Sequence, residues 1–315
     1  MKKKLLALLV VISLIACCAV PVFGRTYTLK DNKGDNEGGK FEWGAELFSP
    51  SSGVYSADMA KTCVFMERNL VKCDEVSQKE VFASCGLGNI TTYSLSSMLP
   101  RMSIANQVLP INGVSTELIL VALRGNAAPL DYVTNFNVTV SDYYGYQVHS
   151  GFKNHAQEAR KCLDAFMAAN PTTAQSRKFL VTGFSSGGAA ANLLAIGIEK
   201  DALATRENIF MYAFAAPNYL KGEVPAGFDN FFNFICAEDI VPRMPPSLFQ
   251  SKWSKLGKKL VFSADTFSTH ERKNYLKGID KAEFTEELPA FTMQSLADWF
   301  VGLIKMMLPF NSGQE

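Results

Sequence analysis

Along the chain, short unbroken apolar runs alternate with stretches in which apolar residues recur every three to four positions. Glu117–Leu123 ("ELILVAL") is a run of strand length, bounded by Arg124-Gly125-Asn126. Residues 151–169 ("GFKNHAQEARKCLDAFMAA") have helical spacing and stop at Asn170-Pro171, as the restriction on a residue before proline predicts. A strand follows at Phe179–Thr182, then a helix from Ser186 to Lys200, then strands at "MYAFAAP" and "FFNFICA". Tyr55 to Cys85 is a further helical stretch. Runs that are apolar throughout are buried on both faces, and their alternation with helices predicts an α/β fold with a mainly parallel central sheet flanked by helices.

The N-terminal pattern is of another kind. Three lysines precede an apolar run from Leu5 to Ala16, the layout of an export signal and too short for a comfortable membrane span. Leu14-Ile15-Ala16-Cys17 resembles the lipobox of bacterial lipoproteins, in which the cysteine is lipidated. The competing expectation is a plain signal cut after Ala19 or Gly24. Residues 1–24 are therefore read as a signal, 25–40 as a polar, glycine-rich flexible tether, and 41–315 as one domain. The expected product is exported, either lipid-anchored in the cell envelope through Cys17 or secreted. The terminal stretch "LADWFVGLIKMMLPF" is read as a helix packed on the domain, because Asp298 and Lys305 interrupt it.

Composition adds two constraints. With 48% hydrophobic residues a large core is feasible, and a net charge of +1 without a basic stripe argues against a nucleic-acid partner. Beyond the signal the cysteines are Cys63, Cys73, Cys85, Cys162 and Cys236, an odd number that cannot pair completely within one chain. One disulfide among the first three is conceivable, and Cys162 and Cys236 read as buried thiols. No spacing suits zinc.

The chemistry concentrates at "FLVTGFSSGGAAANLLA", where a strand runs through Gly183-Phe184-Ser185-Ser186-Gly187 into a helix. G-x-S-x-G in that setting places a serine at the tip of a sharp turn, and Ser185 is the candidate nucleophile. A hydroxyl needs a base to take its proton. Of the three histidines, His149 and His155 precede Ser185, and only His270 fits the order serine, acid, histidine. His149 is read as a hydrogen-bonded histidine near the site, His155 as lying on an exposed helix face. The acid should lie just past a strand end, where Asp239, Glu238 and Asp265 compete. The backbone N–H of Ser186, beside the nucleophile at a helix start, is one candidate oxyanion donor.

A set of segments then carries a family resemblance, in one order along the chain: "LILVALRGN", "DYVTNFN", "VHSGF", "VTGFSSGGAAANLLA", "MYAFAAPN", "NFFNFICAEDIVPRMPP" and "HERKNYL". Together they resemble the class 3 lipases, the group similar to fungal triacylglycerol lipases. The resemblance implies an α/β-hydrolase-like fold, a Ser185–Asp239–His270 triad and a second oxyanion donor at Asn126. It also implies an ester or lipid substrate, no cofactor, and a lid in the region after Asn126, where a packed loop is the alternative. Two positions depart from the family: its usual His before the nucleophile is Phe184, and its Leu after it is Ser186.

Overall fold

The computed structural model describes residues 25–28, 40–72, 82–83, 85–95, 101–125, 139–245, 252–264, 269–285 and 288. In chain order the elements are β1 (Arg25–Thr28), β2 (Lys40–Trp43), α1 (Ala57–Lys72), β3 (Gly88–Ser94), β4 (Arg101–Ile111), β5 (Val114–Leu123), β6 (Val140–Tyr143) and β7 (Tyr146–His149). Then come α2 (Ser150–Ala169), β8 (Ser176–Phe184), α3 (Ser186–Lys200), β9 (Ile209–Phe214), β10 (Leu220–Lys221) and β11 (Phe231–Cys236). The last are β12 (Trp253–Ser254), β13 (Lys258–Phe262), α4 (Arg272–Gly278) and β14 (Glu283–Thr285).

Eight strands form the central sheet in the order β14-β13-β11-β9-β8-β5-β4-β3. The five from β5 to β13 run parallel to one another, and antiparallel strands extend both edges. The expected parallel sheet is therefore present, but β3 and β4 add an antiparallel margin that the apolar runs alone did not announce. Val114 to Ile111 is closed by Asn112 and Gly113, both at positive φ, the two-residue turn that matches strand twist.

Alternation along the strands builds two cores. Leu118, Leu120 and Ala122 of β5 join Leu180, Tyr212, Phe214 and Phe234 in a layer against α1 and α4. Ile119, Val121 and Leu123 join Phe179, Val181 and Met211 against α2 and α3. Period-two side chains that are apolar on both faces thus read as the unbroken runs seen in the sequence. Glu117, 1% exposed, binds the sheet across strands: Asn106 of β4 and Arg177 of β8 both donate to it, at 2.9 and 2.7 Å.

A smaller antiparallel sheet, β12-β10-β7-β6, lies apart from the main one. Its β6–β7 hairpin contains the end of the segment read as a lid or packed loop, and Tyr143 there is buried. Residues 126–138 of that segment lie outside the described residues. So do Cys17 with the whole signal, Cys73, Asp265 and the terminal apolar stretch. Among the described residues no helix is long and apolar enough to cross a membrane.

Four expectations change. Arg25–Thr28 and Lys40–Trp43 pair antiparallel, so the ends of the expected tether are strands rather than free chain. Cys63 is a buried thiol outside any disulfide. Cys236 is buried as expected, but Cys162 is only half-buried. His155 is 1% exposed, not on an exposed face; it shares the stripe Phe152, Ala156, Ala159, Leu163 and Phe166 that packs α2 on the sheet.

Burial holds the His155 imidazole down to about 4. The unfolded chain takes up this proton near pH 6.5 and the folded chain only near 4, so stability falls as pH drops through that window. The loss from this residue is at most about 3.5 kcal/mol, at roughly 1.4 kcal/mol per unit. Urea denaturation of wild type and His155→Leu at pH 7 and pH 4.5 checks it: the wild type should lose more. Equal losses would show that His155 does not carry the effect.

Candidate active site

The site is built where β8 turns into α3. Ser185 sits at φ 59, ψ −129, a conformation that costs a non-glycine residue about 1–3 kcal/mol and must be held from outside. Two sets of contacts hold it. The Ser185 N–H donates to the Phe214 carbonyl of β9 at 2.9 Å, and the Ser185 carbonyl accepts from Gly188 N–H at 2.9 Å. The other set is close packing of bare backbone. A Cβ on Gly187 would lie 2.2 Å from the Leu123 carbonyl oxygen, and one on Gly183 would lie 2.3 Å from the Gly187 carbonyl oxygen. Only glycine lets the elbow fold back on itself and against the end of β5.

That packing sets Ser185 beside the segment that follows β5. A Cβ on Gly125 would come within 2.6 Å of the Phe184 carbonyl oxygen and 2.8 Å of Ser185 Cβ. Asn126, the next residue, lies outside the described residues. Ser186, fully buried, opens α3. Backbone N–H groups at a helix start face negative charge favourably.

The structure brings Ser185, His270 and Asp239 together. His270 Nε2 is 3.1 Å from Ser185 Oγ, and its Nδ1 is 2.7 Å from Asp239 Oδ2. The imidazole keeps 19% of its surface exposed, whereas the Asp239 side chain keeps 1%. A carboxylate so placed fixes the tautomer that leaves Nε2 able to accept a proton. His149 lies elsewhere: it caps α2, its Nδ1 accepting from Gly151 N–H at 3.1 Å, and burial lowers its basicity.

Glu238, the rival acid, does another job. Its Oε2 accepts from Ala264 N–H at 3.0 Å and from Cys236 Sγ at 3.2 Å, and its carbonyl accepts from Thr269 Oγ1 at 3.5 Å. It ties the acid turn to the chain on either side of 265–268.

Tyr275 was not singled out by sequence reasoning, and it belongs to the site. Its hydroxyl donates to Asp239 Oδ2 at 2.8 Å and accepts from Cys236 N–H at 3.2 Å. Burial, then the Asp239 charge, push that hydroxyl well above its usual range, so it remains a donor. Asp239 Oδ1 takes a further bond from Val241 N–H at 3.0 Å. Lys255 closes the turn from behind, donating to the Pro242 carbonyl at 2.6 Å while burial lowers its ammonium to about 7. Tyr275 lies five residues beyond His270, inside α4, and nothing in "HERKNYL" marks the aspartate as its target. Among the described residues no group of three or more His, Cys, Asp or Glu is arranged to hold a metal ion.

Comparison with known proteins finds similarity to lipases. The pattern of the lipase (class 3) family matches residues 120–249, from β5 through the elbow to beyond the acid turn. A secreted mono- and diacylglycerol lipase of Fusarium solani is 30% identical over 184 residues, 52% of this chain and 52% of that one. A lipase of Rhizomucor miehei is 26% identical over 152 residues, 44% of this chain and 40% of that one. The chain thus spans about half the length of the curated relatives it matches. The solved mono- and diacylglycerol lipase from Aspergillus oryzae shares the fold, with a TM-score of 0.52 at 19% identity, covering 76% of this chain and 89% of that one.

Gly187→Ala tests the elbow directly. Its methyl must push β5 and the turn apart, and a displacement near 1 Å at a reacting group costs about a hundredfold in rate. The variant should fold and yet react about a hundredfold more slowly with a fluorophosphonate at Ser185. A wild-type labelling rate would show that the contact does not set the serine.

Proposed function

We propose, from the match of residues 120–249 to the lipase (class 3) family, that the protein is a serine carboxylic ester hydrolase acting on acylglycerols. One observation carries the reading: the hydrogen-bonded series Ser185 Oγ, His270, Asp239, at 3.1 and 2.7 Å. His270 Nε2 takes the hydroxyl proton as Ser185 Oγ attacks the ester carbonyl. Asp239, still ionised, orients the ring and stabilises the imidazolium. The Ser186 N–H and, by the family resemblance, Asn126 stabilise the tetrahedral oxyanion. His270 then gives its proton to the departing alcohol, leaving an acyl group on Ser185. Water, deprotonated by the same imidazole, attacks the acyl-enzyme, and the acid leaves. The steps call for no cofactor.

The named activity of the Fusarium relative, on mono- and diacylglycerols, supports an acylglycerol substrate. A phospholipase A1 or short-chain carboxylesterase would use the same triad. A panel of acylglycerols, phospholipids and short-chain esters separates these outcomes by relative kcat/KM. That relative is also secreted, which supports export here. Anchoring through Cys17 follows from the lipobox-like Leu14-Ile15-Ala16-Cys17. Two or more acyl chains would hold the protein stably at a membrane, at about 0.8 kcal/mol per buried methylene.

Three substitutions test these roles. Ser185→Ala should lower turnover of an activated short-chain ester by roughly 10⁶-fold in a folded protein. Asp239→Asn should lower it by about 10⁴-fold by favouring the wrong tautomer, and Glu238→Gln by less than about tenfold. Retained activity in Ser185→Ala, or a larger loss at Glu238 than at Asp239, would contradict the assignment. For the anchor, Cys17→Ser should abolish lipid incorporation as read by mass spectrometry of the mature N-terminus. An unmodified N-terminus after Ala19 or Gly24 would leave a secreted enzyme instead.

A further inference from the structure

On the face of the elbow turned toward α1 lies a buried ion pair that the triad chemistry does not use. Glu67 of α1 is fully buried, with Oε2 3.6 Å from Nη2 of Arg272. Neither of its carboxylate oxygens, nor Nε of Arg272, has a hydrogen-bond partner among the described residues. Burial raises Glu67, and the Arg272 and Arg124 charges oppose that rise. An apolar residue at this place would avoid the desolvation that such a pair costs. Its position is the informative feature. Arg272 comes two residues after His270, and Arg124 directly precedes Gly125, which packs on Ser185. One carboxylate therefore faces cations on both segments that flank the nucleophile.

The Arg272 guanidinium lies over the Phe184 ring, 4.3 Å from its centroid. The same ring meets the His270 imidazole at 5.1 Å and 54°, and Tyr275 edge-on at 5.3 Å. Phe184 is also the position at which this chain departs from the histidine usual in the lipases it resembles. A continuous path of contact thus runs from Glu67 through Arg272 and Phe184 to His270. At its far end the imidazole depends on two hydrogen bonds, to Ser185 and Asp239, and on this ring contact.

We propose that Glu67 and Arg272 are positioning residues for His270: the pair holds the guanidinium over Phe184, and the ring so loaded backs the imidazole against Ser185. The inference rests on the triad reading above. It assigns no proton transfer to either residue. It predicts that loosening the pair lowers the rate of the chemical step, in which His270 moves the proton, with little change in KM.

The test measures kcat and KM for a short-chain p-nitrophenyl ester in full-length wild type, Glu67→Leu, Phe184→Leu and the double variant. Lys61→Ala serves as control: Lys61 also joins α1 to the turn after α4, through Asp280 at 2.7 Å, but does not reach Phe184. Glu67→Leu and Phe184→Leu should each lower kcat about tenfold or more, with KM within about twofold of wild type. The double variant should be no worse than the lower single, since both break one path. Lys61→Ala should keep wild-type kcat. Should Glu67→Leu fail to fold, Arg272→Lys takes its place, since it keeps the charge and loses the planar contact on the ring, with the same loss expected. The inference is overturned by a folded Glu67→Leu with wild-type kcat, by multiplying losses in the double variant, or by an equal loss in Lys61→Ala. A wild type that cleaves no ester would instead sink the triad reading.

Discussion

The approach of bare backbone between Gly183, Gly187 and the end of β5 is the constraint on which the site depends. Carbonyl oxygens stand 2.2 and 2.3 Å from where side chains would begin, so the turn can be this tight only without them. The tightness has a consequence in φ: Ser185 is driven to 59°, where its side chain stands clear of the strand and the helix. Hydrogen bonds from β9 and into α3 keep it there. Strain at Ser185 is thus balanced by the most deeply buried part of the sheet, since β9 and β11 are buried along their whole length and β8 from Phe179 onward.

The acid side is held differently. Asp239 is enclosed, and an enclosed carboxylate is tolerated only with its lone pairs met. Tyr275, Val241 and His270 meet them. Because Tyr275 and His270 stand on the same short stretch of chain, one segment both carries His270 and meets Asp239. Phe184 completes the arrangement from the nucleophile's side, touching His270, Tyr275 and Arg272. The residue before the serine is then more than a spacer, and its aromatic ring joins the Ser185 turn to the segment that carries His270 and Tyr275.

Much of this was legible in the sequence, and the reasons are specific. The parallel strands read clearly because burial on both faces leaves unbroken apolar runs. Strand, G-x-S-x-G and helix in succession located the elbow, and chain order selected His270 from three histidines. Strands β3 and β4 were less visible: β3 is a half-polar edge strand, and Arg101, Asn106 and Gln107 interrupt the pattern in β4. The Asn112-Gly113 pair was an available sign of the β4–β5 hairpin. His155 misled because a histidine suggests solvent, although its spacing with Phe152 and Ala159 put it on the buried stripe. Tyr275 and Glu67 act on partners far away in sequence, so no local pattern could name them.

The central claim is that Ser185 is a nucleophile activated by His270 and Asp239, and covalent trapping tests it most directly. The wild-type protein is treated with a fluorophosphonate, digested, and its peptides mapped by mass spectrometry. The account predicts one adduct per chain, on Ser185, and nearly none in His270→Ala. An adduct on another residue, or equal labelling of Ser185 in His270→Ala, would contradict it.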